Sequence, residues 1–577
     1  MKNVTARSHV PILEACVIGL VAGLSSVLLS TGVSWLGAFR VHFSDSLPYH
    51  FVLPAFGLAG GLIAGLLVEK IAPEASGSGI PQVRACLDRL VMPLNLRIAL
   101  VKLLGGTIAL GSGFFMGREG PTVQLGAALA ATLARWLKTG TEYKRQLIAA
   151  GAGAGLTAAF NAPLAGITFV LEELLKEIKP STIVITIIAC AVSCTVLNNL
   201  SPAHLNASLG VRSEAILLSA QDIPFYILLG VVTGCIGAGF NRAILASLNF
   251  NKKILKIPLF LKIALAGLVS GMVMSNLPET FHNFAGMRAL IIAGDTDWQL
   301  VLLAFISFLF LTLIAYGSGA PGGLLAPTLT LGSSLGYMIG QIEHSMTGIG
   351  STTAFGIVGM GALFSAVART PLTAIVITFE LTNKLELLLP LMFTCVLSSA
   401  IGELVFKEGL YEHLMRWNGI NLKGETGSQT NADSTAEPTA ESTAEPSILK
   451  AHDIMRPMQE TFTGGTLVKD ALPIFSNSAQ RSFVVIDRDK LVGIVTQTDL
   501  TKVNDVETLD NLTIAEIMTP HPVAVNDQDS LEEILFLFSR YKYTSLPVTS
   551  HDQIKGIILK SDVLKALFAV EENGPPN

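Results

Sequence analysis

Apolar residues run in long blocks as far as residue 405, near 10–38, 52–69, 98–116, 121–137, 147–175, 181–199, 213–248, 257–276, 298–316, 321–341, 352–381 and 386–405. Blocks of about 20 such residues read as membrane-spanning helices. Several are longer than one crossing needs, and several are cut by Gly and Pro. Interrupted apolar segments predict broken helices, which in transporters mark binding sites. The pattern changes at 416–450, where Ser, Thr, Ala, Glu and Pro leave no apolar periodicity. This stretch reads as a flexible linker. From 451 onward, short β-branched runs (FVVID, VGIVT) alternate with amphipathic stretches such as LEEILFLFSRY. That alternation predicts a small soluble α/β unit.

Both regions repeat internally. Gly111-Ser112-Gly113 to Pro121-Thr122 matches Gly317-Ser318-Gly319 to Pro327-Thr328 at an offset of 206, continuing through Leu125-Gly126 and Leu331-Gly332. Residues 151–173 match 359–381 at an offset of 208, pairing Pro163 with Pro371 and Glu172 with Glu380. The membrane region, 1–415, is therefore two related halves, about 10–210 and 215–411. Halves of this kind often run in opposite directions through the bilayer, with the site at their interface. In the soluble region Ile454-Met455-Arg456-Pro457 recurs as Ile517-Met518-Thr519-Pro520, and Gly493 to Asp499 recurs as Gly556 to Asp562, each 63 residues on. Two copies of one unit are expected, at 451–508 and 513–570. The fold class is thus an all-α polytopic membrane domain with an inverted internal repeat and broken helices, plus a soluble α/β tandem.

Composition agrees. The 577 residues are 50% hydrophobic and 14% charged, against roughly 25% charged in a soluble protein. The net charge of -5 gives no reason to expect a nucleic-acid partner. The N-terminal apolar run is too long for a signal peptide and has Glu14 near its start, so it reads as a retained first membrane helix. The six cysteines are scattered without a C-x-x-C pair, which argues against a disulfide framework or a zinc site. No nucleophile–base set or metal cluster suggests an enzyme, and no cofactor is required.

One stretch carries a charge where hydrocarbon is the expected solvent: Gly117-Arg118-Glu119-Gly120-Pro121. A carboxylate there costs about 3 kcal/mol on insertion scales. If Pro121 opens a helix, Gly117, Arg118 and Glu119 lie at its N-terminus, where N–H groups and the positive dipole end can hold an anion or the Glu119 carboxylate itself. An N-terminal Glu that merely complements the dipole is the plainer reading. Gly322 to Pro327 repeats the construction with Leu325 in place of Glu119. Gly77-Ser78-Gly79-Ile80-Pro81 precedes a short helix and offers a further small anion cradle, or an ordinary Gly-rich turn. Glu172-Glu173 reads by itself as a charged helix end at the water interface, and Tyr411 as an interfacial aromatic.

Taken together, GSGIP, GREGP, the uncharged second-half counterpart, NAPLAG followed by Glu-Glu, and a late Tyr resemble the CLC family of chloride channels and chloride/proton exchangers. The resemblance covers about 1–415. The 451–570 pair resembles a CBS tandem, carried by some members on the cytosolic side. The resemblance implies that Ser78, the Tyr411 hydroxyl and the N–H groups of Leu324 and Leu325 coordinate chloride, with Gly117 and Arg118 alongside. It implies that Glu119 is the external gate and Glu173 the internal proton-transfer residue. The family usually has Phe where Leu325 stands, while the backbone N–H is retained. Ser78 favours chloride over nitrate, and GREGP with the late Tyr argues against fluoride.

Two acids in series imply a secondary active chloride/proton antiporter, with a passive chloride channel of the same fold as the alternative. The resemblance further implies a homodimer, a cytosolic tail, and membrane lipid, chloride and protons as partners, while short loops and a brief N-terminus suggest a multi-pass protein of a prokaryotic plasma (inner) membrane. In the tail, Thr496, Asp499 and Asp562 are candidates for the ribose of an adenine nucleotide, although Leu559 replaces the second-repeat hydroxyl. A structural tandem without ligand is the other reading. Divalent-cation transporters with such tails need converging oxygens, whereas converging helix N-termini repel cations.

Overall fold

A computed structural model of the chain describes residues 2–88, 92–137, 139, 141–176, 179–200, 220–253, 257–278, 281, 296–348, 350–418, 450–457, 460–477, 482–487, 490–496, 499, 512–520, 522–529, 531–540, 545–550, 553–559 and 562–563. Positions 213–219 of the block expected to begin at 213, and 419–449 of the expected linker, lie outside the described residues. The chain divides into two compact units, Met1–Ser428 and Gln429–Asn577.

The first unit is helical. Helices α1 (Lys2–Ser46), α2 (Tyr49–Lys70), α3 (Ile80–Leu87), α4 (Leu96–Gly111), α5 (Glu119–Trp136), α6 (Thr141–Phe160), α7 (Pro163–Phe169) and α8 (Pro180–Leu200) form its first half. Its second half contains α9 (Ile223–Lys253), α10 (Leu259–Ser275), α11 (Trp298–Gly317), α12 (Leu325–Thr347), α13 (Thr352–Ala368), α14 (Pro371–Thr382) and α15 (Leu388–Val405). Helix α16 (Leu410–Trp417) closes the unit. The repeat seen in sequence is a repeat of structure. α4 packs on α5 as α11 packs on α12, α5 on α6 as α12 on α13, and α1 on α8 as α9 on α15. The chain turns alike as well: Gly113 (φ 109°) is matched by Gly319 (φ 86°), and Asn161 (φ 56°) by Arg369 (φ 63°). These left-handed residues end helices at the same points of both halves.

Burial sorts the helices. Ten or more residues of each of α5, α12 and α13 are buried, whereas Leu28, Phe51, Leu389 and Leu404 of the outer helices face outward. Six described segments, among them Ile12–Ser44, Tyr49–Lys70 and Trp298–Gly317, are long and apolar enough to cross a membrane. Exposed apolar side chains on such helices are what lipid requires. The chain is an integral membrane protein. Helix α1 belongs to the bundle, with Ala15, Ile18, Ala22 and Leu29 buried. Close crossings rest on small residues. A Cβ at Gly126 would fall onto the Gly151 carbonyl, and one at Gly332 onto that of Gly359, the same crossing in each half.

The second unit has one sheet in the order β1-β2-β3-β7-β6-β5, with β1 (Thr461–Thr463), β2 (Ser482–Asp487), β3 (Lys490–Thr496), β5 (Val525–Asn526), β6 (Ser545–Ser550) and β7 (Gln553–Leu559), and β4 (Thr519–Pro520) pairs with β3 off this path. Val485 pairs with Gly493 and Val548 with Gly556, so the 63-residue period is also a register. The equivalent hydroxyls of Ser482 and Ser545 meet at 2.6 Å between the two copies. Each copy is locked into the other at its opening motif: Arg456 exchanges backbone hydrogen bonds with Ile557 at 2.9 and 3.0 Å, and Thr519 pairs with Ile494.

Candidate functional site

Two helix starts face each other in the core of the first unit. Gly117 N–H donates to Gly323 O at 2.8 Å, and Gly323 N–H donates to Gly117 O at 2.7 Å. This antiparallel bridge joins two residues 206 positions apart, as a two-fold relation between the halves requires. It sets the N-termini of α5 and α12 side by side. Their cap residues, Arg118 and Leu324, contribute no side-chain cap. Elsewhere the chain does cap its helices: Asn95 Oδ1 accepts from Ile98 N–H, and Ser351 Oγ accepts from Ala354 N–H. Helix α5 begins at Glu119, two residues before the expected Pro121. Proline is tolerated in the first turn because its missing N–H would have no intrahelical acceptor there.

Glu119 is buried. Its carboxylate folds back over Gly117, where a Cβ would overlap Oε2. Arg118 turns away and donates to Ala159 O at 3.1 Å. Leu325, the counterpart of Glu119, is also buried but brings only an isobutyl group. Ala326 lies against Gly117, 3.2 Å from the position a Cβ would take.

The third start is that of α3. Ser78 lies between two left-handed glycines, Gly77 (φ 65°) and Gly79 (φ 90°), a conformation that favours glycine. The turn is tied to the second half by Gly77 N–H donating to Gly319 O at 3.3 Å and Gly322 N–H donating to Gly77 O at 3.2 Å. Gly120 is obligatory here, since a Cβ would sit 2.7 Å from both Ser78 O and Ser78 Oγ and 3.0 Å from Gly323 Cα. The Ser78 hydroxyl is buried and has no hydrogen-bond partner among the described residues. Leaving such a group unsatisfied costs about 1–3 kcal/mol. Three helix N-termini and the Ser78 hydroxyl thus converge, a donor-rich arrangement suited to an anion or to the Glu119 carboxylate itself.

Tyr411 is buried in the first turn of α16, within electrostatic range of Glu173, Tyr316 and Glu119. Glu173 is buried in the π-helical turn Val170–Leu175 that continues α7. Ser78, Glu119, Gly117, Leu324 and Leu325 therefore form one contiguous cluster, with Tyr411 linking it to Glu173. The neighbouring acid, Glu172, faces elsewhere. It accepts from Leu372 N–H at 3.0 Å and from Thr373 N–H and Oγ1 at 2.7 Å, capping α14. Its repeat mate Glu380 accepts from Leu164 and Ala165 N–H at 2.9 and 2.7 Å, capping α7.

Sequence reasoning missed three charged groups. Fully buried Lys102 donates to Ala75 O at 2.9 Å and Gly77 O at 2.6 Å, holding the Ser78 turn. Its solitary place in an apolar run was the available signal. Arg84 donates to Glu173 Oε1 at 2.8 Å and to Glu412 Oε1 at 3.0 Å. Lys176 also pairs with Glu412. No local pattern announces Arg84 or Glu412.

In the second unit Asp499 Oδ2 accepts from Thr496 N–H at 2.9 Å and Thr496 Oγ1 at 2.7 Å, so the two first-copy candidates are bonded to each other. Asp562 is gripped by Arg456, whose Nε donates to Oδ2 at 2.7 Å. That fork holds the Arg456 guanidinium even more firmly protonated than usual.

Residues 60–403 match the family model described as voltage gated chloride channel, and 451–505 and 514–569 each match the CBS domain. The H(+)/Cl(-) exchange transporter ClcA of Salmonella paratyphi B is 32% identical over 442 residues, 72% of this chain and 90% of that protein. ClcA of Salmonella schwarzengrund is 33% identical over 425 residues, 70% of this chain and 87% of the relative. Among solved structures, a slow cyanobacterial Cl-/H+ antiporter superposes with a TM-score of 0.65 at 28% identity, covering 72% of this chain and 99% of that one. A eukaryotic CLC transporter matches in fold with a TM-score of 0.68 at 21% identity, covering 96% of this chain and 97% of that one.

Proposed function

The chain belongs to the voltage gated chloride channel family, and on that premise we propose that it is a secondary active chloride/proton antiporter. The observation that carries this reading is a pair of buried acids, Glu119 and Glu173, both within electrostatic range of the buried Tyr411. Chloride is the substrate, coordinated by Ser78 and Tyr411 hydroxyls and by first-turn N–H groups near Gly117, Arg118, Leu324 and Leu325. Glu119 is the external gate. Ionised, its carboxylate competes with chloride for the N-terminus of α5. Protonated, it leaves that position to the anion and carries the proton. Glu173 supplies protons from the other side by a branch separate from the anion path. Because one carboxylate serves both ions, anion and proton exchange in opposite directions.

The membrane unit works as a homodimer in a bacterial inner membrane, with the tail cytosolic. The relatives that support antiport are bacterial exchangers, matched over 90% and 87% of their own length. The tail regulates transport by taking an adenine nucleotide at Thr496, Asp499 and Asp562. This requires the nucleotide ribose to replace the Thr496–Asp499 bond and the Arg456 grip on Asp562. A thermal shift of the 448–577 fragment on adding ATP, ADP or AMP is expected, and no shift with any of them defeats the nucleotide role. Purified protein in liposomes, with chloride and proton fluxes recorded together, tests the antiport. Proton movement uphill against its gradient, driven by chloride, is expected. Chloride flux without proton movement would make the protein a channel.

A further inference from the structure

Arg84 joins three elements. It lies on α3, the helix that opens beside Ser78. One guanidinium nitrogen holds Glu173 on the turn after α7, and another holds Glu412 on α16, the residue after Tyr411. Arg84 and Glu173 side chains are each 4% exposed, whereas Glu412 is 15% exposed and Lys176, its second partner, 45%. The charged side chains thus grade from the buried Glu173 outward to the surface. A planar fork offers separate nitrogens to two carboxylates in fixed directions, whereas a lysine offers a single point charge.

The geometry points to Arg84 as a positioning residue that ties the protonation of Glu173 to the helices carrying Ser78 and Tyr411, with Glu412 as the counterweight. This inference rests on the antiport reading above. The groups facing Glu173 are Arg84 from α3, Lys176 from the end of its own turn, and Tyr411 and Glu412 from α16. Glu412 also feels Arg369 and His413. With Glu173 ionised, two cations meet two anions, and α3 is pinned to both the α7 turn and α16. A proton on Glu173 removes one anion. The pin from α3 to the α7 turn then weakens from an ion pair to a neutral hydrogen bond, and Arg84 keeps Glu412 as its paired charge. Delivery of a proton therefore loosens the Ser78 helix from the turn that carries Glu173, while α3 and α16 remain joined. Glu412 competes with Glu173 for the same guanidinium, which keeps Glu173 from being held ionised too strongly to accept a proton.

The two partners act in opposite senses, and this is the test. In Arg84→Gln, Glu173 loses its cation, so it takes a proton at higher pH. The midpoint of proton transport against pH on the Glu173 side should rise by about one unit, a tenfold change in proton affinity. In Glu412→Gln, the whole of Arg84 is left to Glu173, and the midpoint should fall. The chloride KM should rise several-fold in Arg84→Gln, where α3 loses its ties, and Arg84→Lys should restore only part of either effect. Each variant is assayed in liposomes after its elution as a single species is checked. Shifts in the same direction, or equal losses of both fluxes with an unmoved profile, overturn the inference. Should Arg84→Gln fail to fold, the fall expected in Glu412→Gln decides alone. If the wild-type protein moves no protons, the antiport reading itself fails, an outcome distinct from unshifted variants of a coupled protein.

Discussion

The helix starts at Glu119 and Leu325 are one construction made twice. Both follow a left-handed glycine six residues earlier, both lack a side-chain cap, and they are bonded to each other through Gly117 and Gly323. They differ in the first side chain. In one half the chain provides its own anion, and in the other it provides none. A buried helix N-terminus favours a negative charge, so under the proposed antiport the half without a carboxylate is the one whose N–H groups are left to a mobile anion. The pair Glu172 and Glu380 behaves in the opposite way. There both halves keep the carboxylate, and each caps a helix of the other half. On the proposed function, preserved symmetry marks support and broken symmetry marks the gate.

That contrast can be broken most severely at Glu119. In Glu119→Gln, proton transport should fall to background, while chloride flux persists and loses its pH dependence. Proton transport surviving this change would mean that the carboxylate only complements the helix dipole. Next in size is Glu173→Gln. Chloride flux should continue with a reversal potential that follows chloride alone. An unchanged response of that potential to a pH gradient would remove Glu173 from the proton route.

A smaller effect, on stability and not on coupling, is expected from the symmetric pair. Glu172→Gln and Glu380→Gln each weaken charge-assisted bonds at a helix start, costing about 1–2 kcal/mol apiece. Glu172 accepts three hydrogen bonds and Glu380 two, so the first substitution should lower the unfolding temperature in detergent more. A lost proton/chloride ratio in either variant would contradict a supporting role. The smallest change in transport should come from Leu325→Phe. The side chain is buried, so overpacking costs about 1–3 kcal/mol of stability, while the backbone N–H is kept. Chloride flux within a few-fold of wild type is expected. Abolished flux would mean that the isobutyl group itself shapes the anion path.

Much of this was legible along the chain. The offsets of 206 and 208 located the paired helix starts, because glycine and proline act on their own backbone and need no distant partner. The 63-residue period located the sheet register of the tail for the same reason: strand pairing follows the alternation of side chains. The plainer reading of Glu172-Glu173 as an interfacial helix end does not describe either residue. Two adjacent positions on a helix point in different directions, so one reaches the α14 N-terminus and the other the buried Arg84. Which one does which depends on packing.

What the sequence determined by itself is local in origin: the apolar blocks, the breaks between them, the doubled construction and the single carboxylate that one copy carries. The tertiary structure alone decided which charges meet. Arg84 finds Glu173 across 89 positions and Glu412 across 328, and Lys102 reaches the Gly77 carbonyl across 25. Such partners share no helix turn or strand register, so no periodicity links them. They are brought together because a charge enclosed by apolar helices must find an opposite charge or a carbonyl. Only the folded chain offers one within reach.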